Sequence, residues 1–313
     1  MVKIIYFIVF VSILLLTGCG AASLETAPAD FYAFRDDTGT EIVLSEPPQT
    51  AAILTSSLAD LWITAGGRID ITVGETIERG FADEDSVLVD DGAGKTINLE
   101  LLIASKPDLV LYAADLSGQA ECAAALTEAG IPAAGFTVET FDDYLHLLKI
   151  CTDILDTPEI YQKHGLDLKQ KVNDLIALAG DQEVRPSILF VRAGSGVKYT
   201  KAKTAENHFV CVMLNELGTY NIAEKNPVLL DGLSTEEILI SDPDFIFFTT
   251  MGDEHAGLAY MESLFSDPVW QSMTAVKNKQ VYQLPKDLFQ YKPNSRWDQA
   301  YAYLIQLLYG DIL

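Results

Sequence analysis

The amino-acid sequence predicts an α/β protein with two lobes, each built on a parallel-rich β-sheet, joined by one long α-helix. Three observations lead to this fold class. Short apolar segments, each as long as a buried strand, alternate with helical segments in both halves of the chain. A helical stretch occupies the middle, and one pattern occurs once in each half. The length of 313 residues also exceeds the ~100–200 residues of a typical domain, which favours two domains.

The first half begins with a predicted β-hairpin, whose turn lies at Gly39. The strand–helix alternation that follows stops in the middle of the chain and then resumes. We therefore place an N-terminal lobe at residues 30–155, a linker helix at 156–181 and a C-terminal lobe at 182–313. The predicted strands lie at residues 51–55, 71–73, 109–112, 134–138, 188–191, 245–249 and 281–284.

Two helix starts lie in the middle of the chain. Thr140 with Asp143 has the spacing of a capping pair and opens a helix that ends near Leu155. Pro158 suits the first turn of a second helix, which runs to Ala179. At 1.5 Å per residue this second helix reaches ~33 Å, which is long enough to bridge two lobes.

The repeated pattern is the most informative feature of the sequence. Residues 98–110 match residues 234–246: a helix-capping Asn or Ser, a Glu two positions later, and Pro-Asp seven positions after that Glu, followed by a strand. The cap and the Glu suit the first turn of a helix, and the Pro ends it. Glu100 and Glu236 can be simple first-turn acids. The presence of a copy in each half nevertheless indicates two lobes built alike.

The N-terminal residues are typical of a bacterial lipoprotein precursor. The apolar stretch at residues 4–16 is shorter than the ~20 residues that a membrane-spanning helix needs. Leu16-Thr17-Gly18-Cys19 is similar to a lipobox, where cleavage leaves Cys19 as a lipidated first residue. We therefore expect a signal peptide at 1–18, a palmitate-bearing anchor on Cys19, a tether at 19–29 and an extracytoplasmic protein held at the bacterial cell membrane. An uncleaved membrane anchor is the alternative.

Composition and motifs narrow the function. The formal charge of −24 repels phosphate backbones, so we do not expect nucleic-acid binding. Residues 92–96 lack the first glycine of a phosphate-binding loop, and residues 194–196 lack the outer residues of a nucleophile elbow. We therefore expect no catalytic residues and no enzyme. Cys122, Cys151 and Cys211 are expected to be buried small apolar residues, although a disulfide between two of them stays open.

A series of short segments occurs in a characteristic order along the chain. They are the Asp-x-x-Gly hairpin with Pro47-Pro48, Ala52-Ile53-Leu54, Lys106-Pro107-Asp108-Leu109-Val110, Gly130-Ile131-Pro132, Leu217-Gly218-x-x-Asn221-Ile222-Ala223, Pro243-Asp244-Phe245-Ile246, Trp270, Ala275-Val276-Lys277-Asn278 and Val281-Tyr282. With these segments, the chain resembles the periplasmic-binding-protein family for ferric siderophores, haem and cobalamin, which supplies ABC importers. The resemblance covers nearly the whole mature chain.

This resemblance implies two Rossmann-like lobes joined by one long helix, with limited hinge motion and no cofactor. It implies that a small-molecule metal chelate, an iron or cobalt chelate, is captured in the cleft between the lobes. It also implies delivery to an ABC permease dimer with its ATPase, with one surface Glu of each lobe docking onto arginine pockets of the permease. Glu100 and Glu236 match those positions. We expect the binding protein to act as a monomer.

Ligands in such folds lie at the ends of parallel strands, so the strand-to-helix loops supply the candidate contacts. Cations and aromatic rings stand out in two loops, at residues 192–203 and 289–297. They suit a flat or aromatic, anionic chelate such as a ferric siderophore or haem. The basic residues can instead form a solvated loop, and Trp297 can instead pack in the core. The candidate ligand-binding residues are Thr55, Ser56, Tyr112, Arg192, Lys198, Tyr199, Lys201, Met251, Tyr291, Lys292, Arg296 and Trp297.

Other ligand types remain as alternatives. Direct binding of zinc or manganese needs three or four clustered ligands, and His208, His255 and Glu254 could meet across loops. No His-rich tract supports them, so we predict no metal site. A haem iron could gain an axial ligand from Tyr112, Tyr199 or His255. A peptide or sugar is a further alternative. Binding proteins for those solutes join their lobes by two or three crossings, whereas a single helix is predicted here.

Overall fold

Two parallel β-sheets form the centres of the two halves of the protein. The computed structural model describes residues 31–91 and 96–312. Its strands are β1 (Tyr32–Arg35), β2 (Glu41–Leu44), β3 (Ala51–Ile53), β4 (Ile71–Thr72), β5 (Val87–Leu88), β6 (Leu109–Ala113), β7 (Ala133–Phe136), β8 (Ser187–Ala193), β9 (Lys201–Ala202), β10 (Tyr220–Asn221), β11 (Phe245–Thr250) and β12 (Val281–Gln283). The N-terminal sheet has the parallel order β5-β4-β3-β6-β7 and the C-terminal sheet the parallel order β10-β8-β11-β12, with β9 antiparallel to β8. The predicted α/β fold class with parallel-rich sheets is confirmed.

Helices connect these strands, as expected for parallel sheets. They are α1 (Ser56–Thr64), α2 (Gly74–Glu78), α3 (Leu99–Ala104), α4 (Ser117–Ala120), α5 (Cys122–Glu128), α6 (Phe141–Ile154), α7 (Pro158–Tyr161), α8 (Asp167–Gly180), α9 (Phe209–Glu216), α10 (Val228–Asp231), α11 (Thr235–Ser241), α12 (Glu254–Phe265), α13 (Pro268–Gln271), α14 (Thr274–Lys277), α15 (Lys286–Phe289) and α16 (Trp297–Tyr309). Helix α6 begins with the predicted capping box of Thr140 and Asp143.

The β1–β2 hairpin is held against the edge of the N-terminal sheet by one buried carboxylate. Gly39 lies in its turn, as predicted, with a φ of +85°. The Asp36 carboxylate accepts hydrogen bonds from the backbone N–H groups of Thr38 and Thr40 and, across to β7, of Gly135. Because these donors compensate the buried charge, the hairpin has a fixed position on β7.

The repeated pattern adopts the same local structure in both halves. Asn98 and Ser234 cap α3 and α11, as predicted, by accepting a hydrogen bond from the N–H three positions later. In each copy the residue before the proline has a left-handed backbone: φ is 49° at Lys106 and 39° at Asp242. This conformation ends each helix and directs the chain into the following strand.

The Asp of each Pro-Asp pair ties the starts of two neighbouring strands together. The Asp108 carboxylate accepts hydrogen bonds from the backbone N–H and the hydroxyl of Thr50, at 2.8 and 2.9 Å. The Asp244 carboxylate accepts the same two bonds from Ser187, at 2.8 and 2.7 Å. The same interaction therefore sets the register of β6 beside β3 and of β11 beside β8.

The middle of the chain is helical from Pro158 to Gly180, but it is not α-helical throughout. A π-helical turn at Gln162–Leu166 joins α7 to α8. Within this turn, the carbonyl of His164 accepts a hydrogen bond of 2.8 Å from the Tyr144 hydroxyl of α6. This bond supplies a donor for a carbonyl that the wide turn takes out of the regular α-helical hydrogen-bond pattern. The expectation of one regular helix is corrected accordingly, and the exact lobe boundaries stay predictions.

One hydrophobic core runs through both lobes. It contains buried side chains from β3, β6 and β7, from β8 and β11, and from helices α6, α8, α9 and α16. Trp297 is 1% exposed, and its ring meets those of Phe141 in α6 and Phe209 in α9 edge to face, with ring centroids 5.8 and 6.0 Å apart. Burying a large apolar side chain contributes about 1.5–3 kcal/mol. Apolar packing therefore holds the lobes together in addition to the linker.

The three cysteines of the described residues are buried and unpaired, as expected for small apolar residues: Cys122, Cys151 and Cys211. Burial raises the pKa of the Cys151 thiol, which keeps it protonated. The predicted signal peptide, Cys19 and the tether lie outside the described residues. Within residues 31–91 and 96–312, no helix is both long and apolar enough to cross a bilayer.

We expect Asp108→Ala to lower the free energy of unfolding by about 1 kcal/mol at neutral pH, a modest value because solvent screens this exposed carboxylate. Burial acts against ionisation, but the hydrogen bonds from Thr50 and Gln49 outweigh it and lower the pKa of Asp108. Its contribution is therefore present above the unfolded-state pKa of about 4 and is lost as the pH falls through the folded-state pKa. Urea unfolding at neutral and at acidic pH measures this difference.

Asp244→Ala should have a similar effect, since its carboxylate makes the equivalent bonds with Ser187. Asp85→Ala, which removes an exposed loop acid, is the matched control. Equal unfolding free energies for Asp108→Ala and Asp85→Ala at neutral pH would contradict the proposed role of the strand ties.

Candidate ligand site

The carboxyl ends of parallel strands from both sheets face a shared region between the lobes. A cavity of about 50 Å³ lies on the N-terminal side of this region. The loops after β3, β6 and β7 form its wall, together with the segment that precedes α16. The lining residues include Thr55, Ser57, Ala113, Asp115, Val138, Glu139, Lys292 and Asn294.

A more open hollow of about 190 Å³ lies at the carboxyl end of β8. We call it the cationic hollow; it is lined by Arg192, Lys198, Tyr199, Lys201, Lys203 and Met251. The chain gathers these residues by turning back through Val197–Tyr199 into β9, which places Lys201 opposite Arg192. Gly194 permits this turn, because a Cβ there would lie 2.4 Å from the Cβ of Tyr199.

The cations of this hollow are partly removed from water. Burial lowers the pKa of Arg192, against the opposing effect of the Glu139 charge. Burial also lowers the pKa of Lys203, and the charges of Arg192 and Lys201 lower it further. Holding these groups in their charged forms costs free energy, which an anionic ligand would offset.

His208 lies beside these cations and is uncharged. Burial lowers its pKa well below the usual value, and the charges of Lys292, Arg192 and Lys203 lower it further. Its Nδ1 accepts a hydrogen bond of 3.3 Å from the backbone N–H of Val210. Neutral His208 therefore caps the start of α9.

Lys292 and Glu139 form an ion pair between the segment before α16 and the N-terminal lobe. The Lys292 Nζ lies 2.7 Å from the Glu139 Oε1 and 4.6 Å from the centre of the Phe209 ring. The nearby main chain is held separately, because the Asn294 side chain donates a hydrogen bond of 2.8 Å to the carbonyl of Ser57 in α1. The position of Lys292 is thus fixed by its backbone, and its side chain lines the cavity.

Tyr291 and Arg296 lie at the contact between the lobes, and neither lines the cavity or the cationic hollow. The ring centroid of Tyr291 is 3.7 Å from the guanidinium carbon of Arg79, a residue that sequence reasoning did not single out. The Arg296 guanidinium lies 3.9 Å from the Asp60 carboxylate and donates to the Asp287 carbonyl. These contacts bind the last segment of the chain to α1 and α2.

Three predicted ligand contacts are enclosed by protein and do not line the site. Ser56 and Trp297 are each 1% exposed, and Tyr112 is 3% exposed. The Ser56 hydroxyl donates to Glu75, the Tyr112 ring packs beneath Gly135, and Trp297 lies in the shared core. The prediction included whole loops, whereas neighbouring side chains along a strand or a helix start point in different directions.

The other predicted contacts fall at the two parts of the site. Thr55 and Lys292 line the cavity, and the remaining five line the cationic hollow: Arg192, Lys198, Tyr199, Lys201 and Met251. Sequence reasoning did not select Glu139, Ser57 or Asn294 for the site. Ser57 and Asn294 lie in loops that were predicted to contribute contacts. Glu139 follows the predicted strand at residues 134–138, and the segment after that strand was not included in the prediction.

Glu100 and Glu236 occupy equivalent exposed positions in the first turns of α3 and α11. Each of these helices leads into its Pro-Asp turn at the start of a strand. The N-terminal end of each helix therefore lies toward the edge where the strands end. That edge carries the candidate ligand site, so both glutamates lie on its side of the protein.

A directly bound metal finds no support in the described part of the chain. Within residues 31–91 and 96–312, no three His, Cys, Asp or Glu side chains are grouped as a metal ion would require. His208, one of the candidates, is a helix cap, and His255 is an exposed residue of α12.

Comparisons of sequence identify relatives among binding proteins. The Fe(3+)-citrate-binding protein YfmC of Bacillus subtilis is 26% identical over 297 residues, which cover 90% of this chain and 88% of that protein. The vitamin B12-binding protein of Vibrio cholerae is 26% identical over 195 residues, which cover 62% of this chain and 65% of that protein. The match to the Vibrio protein thus spans less than two thirds of either chain.

Comparisons of structure give the same fold. A periplasmic solute-binding protein from Veillonella parvula superimposes with a TM-score of 0.69 at 22% identity, covering 90% of this chain and 87% of that chain. The periplasmic heme-binding protein RhuT from Roseiflexus superimposes with a TM-score of 0.68 at 17% identity, covering 84% of this chain and 99% of that chain. At sequence identities this low, the structural similarity shows the fold and does not identify the ligand.

The relatives and structures described above are named as binding proteins, in agreement with the expectation that the chain is not an enzyme. The sequence model of the periplasmic binding protein family matches residues 52–288, which is most of the chain. This chain therefore belongs to the periplasmic binding protein family.

Proposed function

We propose that this chain is the extracytoplasmic, lipid-anchored binding protein of an ABC importer. As a monomer, it captures an iron chelate or cobalamin between its lobes and delivers it to the permease dimer with its ATPase. The cationic hollow is the observation that carries the proposal, because it concentrates partly buried positive charge in a chain of net charge −24. Among the candidate ligands, an anionic ferric chelate suits this charge best.

The side chains of the hollow favour a chelate that bears carboxylates. An arginine such as Arg192 can hold a carboxylate through two parallel hydrogen bonds, and lysines add point charges around it. Tyr199 is 53% exposed and offers a ring face to a flat or compact chelate. The Bacillus subtilis relative, named for Fe(3+)-citrate, aligns with 90% of the chain, and this supports the same ligand class.

We expect Arg192→Gln to weaken the binding of ferric citrate about 10- to 100-fold. A lost charge-assisted hydrogen bond is worth about 1.5–3 kcal/mol, and each 1.4 kcal/mol corresponds to about tenfold in the dissociation constant. Titration of the purified protein, followed by calorimetry or tryptophan fluorescence, measures the effect.

Arg185→Gln is the matched control, because it removes the same charge from an exposed position of the same lobe. Its affinity should stay within about twofold of the wild type, since solvent screens a distant surface charge. Equal affinities of the Arg192 and Arg185 variants for ferric citrate would contradict the assignment of the cationic hollow to the ligand site. Binding of cyanocobalamin but not ferric citrate by the wild type would favour the cobalt chelate.

We expect the double variant Glu100→Arg and Glu236→Arg to lose most of its ability to support uptake of radioactive iron from ferric citrate. Both glutamates are exposed at the ends of equivalent helices, where they can meet arginine pockets of the permease, and reversal replaces attraction by repulsion. Binding of ferric citrate by the purified variant should be unchanged, because neither residue lines the site.

Glu128→Arg with Glu183→Arg is the control for that pair. These two exposed acids lie near the starts of β7 and β8, and the candidate ligand site lies where the strands end. Uptake by this control should match the wild type. Normal uptake by the Glu100 and Glu236 variant would rule out the docking assignment while leaving the ligand site intact.

We also expect Cys19→Ala to release the protein from the membrane fraction, because the variant lacks the sulfur that carries the lipid. The binding of ferric citrate should not change. Cell fractionation followed by immunoblotting measures the distribution, and a processed variant that stays in the membrane fraction would contradict lipid anchoring at Cys19.

A further inference from the structure

Glu139 places a carboxylate of the protein among the cations of the candidate ligand site. Its Oε1 accepts the hydrogen bond of 2.7 Å from the Lys292 ammonium. Its Oε2 is buried and has no hydrogen-bond partner among the described residues. A buried carboxylate oxygen without a donor is unfavourable, because the lost hydration is not replaced. The fold itself therefore does not fully satisfy this side chain.

The charge of Glu139 also reaches the cationic hollow. It acts on both Arg192 and Lys203, which lie across the region between the lobes. His208, which lies among the same groups, is neutral and adds no positive charge. One resident carboxylate thus pairs with Lys292 and acts at longer range on Arg192 and Lys203.

We propose that Glu139 is a specificity-determining residue: its carboxylate occupies the place of a ligand carboxylate on Lys292, so that only a chelate with several anionic groups can displace it. This inference rests on the proposed function, because it assumes that the cavity and the cationic hollow form one chelate site. It narrows the ligand class from iron or cobalt chelates to polyanionic ferric chelates.

The selectivity follows from the free energy that a ligand gains when its carboxylate replaces Glu139 on Lys292. A ligand with one carboxylate replaces Glu139 on Lys292 by an equivalent interaction, and leaves Glu139 in a partly buried place without its partner. A ligand with further carboxylates also pairs with Arg192 and Lys203, which the Glu139 charge compensates only at a distance. The net gain therefore appears only for ligands that carry several negative groups.

The exchange requires only a side-chain movement. The backbone N–H of Lys292 lies 3.4 Å from the Ser57 hydroxyl, and Asn294 bonds both the Ser57 carbonyl and the Asp60 carboxylate. These contacts hold the segment on α1 when the ion pair opens. The Lys292 ammonium can thus turn from Glu139 to a ligand without a hinge movement of the lobes.

The test compares Glu139→Gln with Glu128→Gln at constant ionic strength, using ferric citrate as the polyanionic probe and ferrichrome as a neutral ferric chelate. We expect Glu139→Gln to bind ferric citrate about tenfold more tightly than the wild type, because the competing anion is gone. Ferrichrome offers no anionic group to replace Glu139, so it should bind weakly to both proteins and its affinity should change less than twofold. Glu128→Gln, an equal charge change on an exposed helix end, should leave both affinities unchanged.

Direct titration with succinate measures whether the gain extends to a smaller anion. Succinate, with two carboxylates, should itself bind Glu139→Gln about tenfold more tightly than the wild type, because the competing anion is gone. Glu139→Asp, whose shorter side chain draws the carboxylate away from Lys292, should change both quantities in the same direction to a smaller extent. It also serves as the second variant if Glu139→Gln folds poorly.

Unchanged or weaker binding of ferric citrate by both Glu139 variants would overturn the inference, since it would make Glu139 a structural residue or a direct ligand contact. An equal gain for ferrichrome would also overturn it, because the effect would then not depend on ligand charge. Failure of the wild type to bind ferric citrate at all would instead refute the proposed ferric-chelate function.

Discussion

Trp297 packs against one aromatic ring from each lobe, and the geometry of the candidate site depends on this contact. Phe141 begins α6 and Phe209 begins α9, so the rings that Trp297 joins belong to helices on opposite sides of the cleft. Both helices start near the strand ends that carry the lining residues. A continuous apolar core through this point keeps the two walls of the site at a nearly constant separation, because close-packed interiors deform little.

A second constraint is electrostatic. The whole chain carries 45 acidic and 21 basic residues, so at long range it repels the anionic chelates proposed as its ligands. At physiological ionic strength the screening length is about 8 Å, and a ligand near the cleft therefore responds mainly to local charges. The turn from β8 into β9 gathers four cations around the cationic hollow. Local placement of charge thus prevails over the net charge of the molecule.

The sequence was sufficient to predict the elements whose signals are local. Short apolar segments predicted the hairpin and the strands β3, β4, β6, β7, β8, β11 and β12, whereas the two-residue strands β5, β9 and β10 were not predicted. The two copies of the Pro-Asp pattern were predicted to be alike, but the left-handed residue before each proline was not predicted. The position of Trp297 could not be predicted, because a tryptophan at a helix start suits either a core or a cleft. Glu139 was not predicted for another reason. Arg192 and Lys292, on which its charge acts, lie 53 and 153 positions away along the chain, and no spacing rule connects residues so far apart.

The π turn was also beyond prediction, since the hydrogen bond to its His164 carbonyl comes from another helix. Helix propensity and periodicity describe the interactions within a segment. They cannot predict a carbonyl whose hydrogen-bond donor lies in another segment. The same limit applies to Arg79, whose stacking on Tyr291 joins residues from opposite ends of the chain. Contacts of this kind decide which loop residues form the site and which support it.

The shared core has a consequence for how such an importer would work in the cell. A core that fixes the separation of the lobes would also keep the proposed docking residues Glu100 and Glu236 at nearly the same distance, whether the cleft is filled or empty. The permease would then meet nearly the same docking surface on both forms. Unloaded copies would compete with loaded ones, and the rate of uptake would depend on the ratio between them. Once the permease is saturated, producing more of the binding protein would therefore not raise uptake.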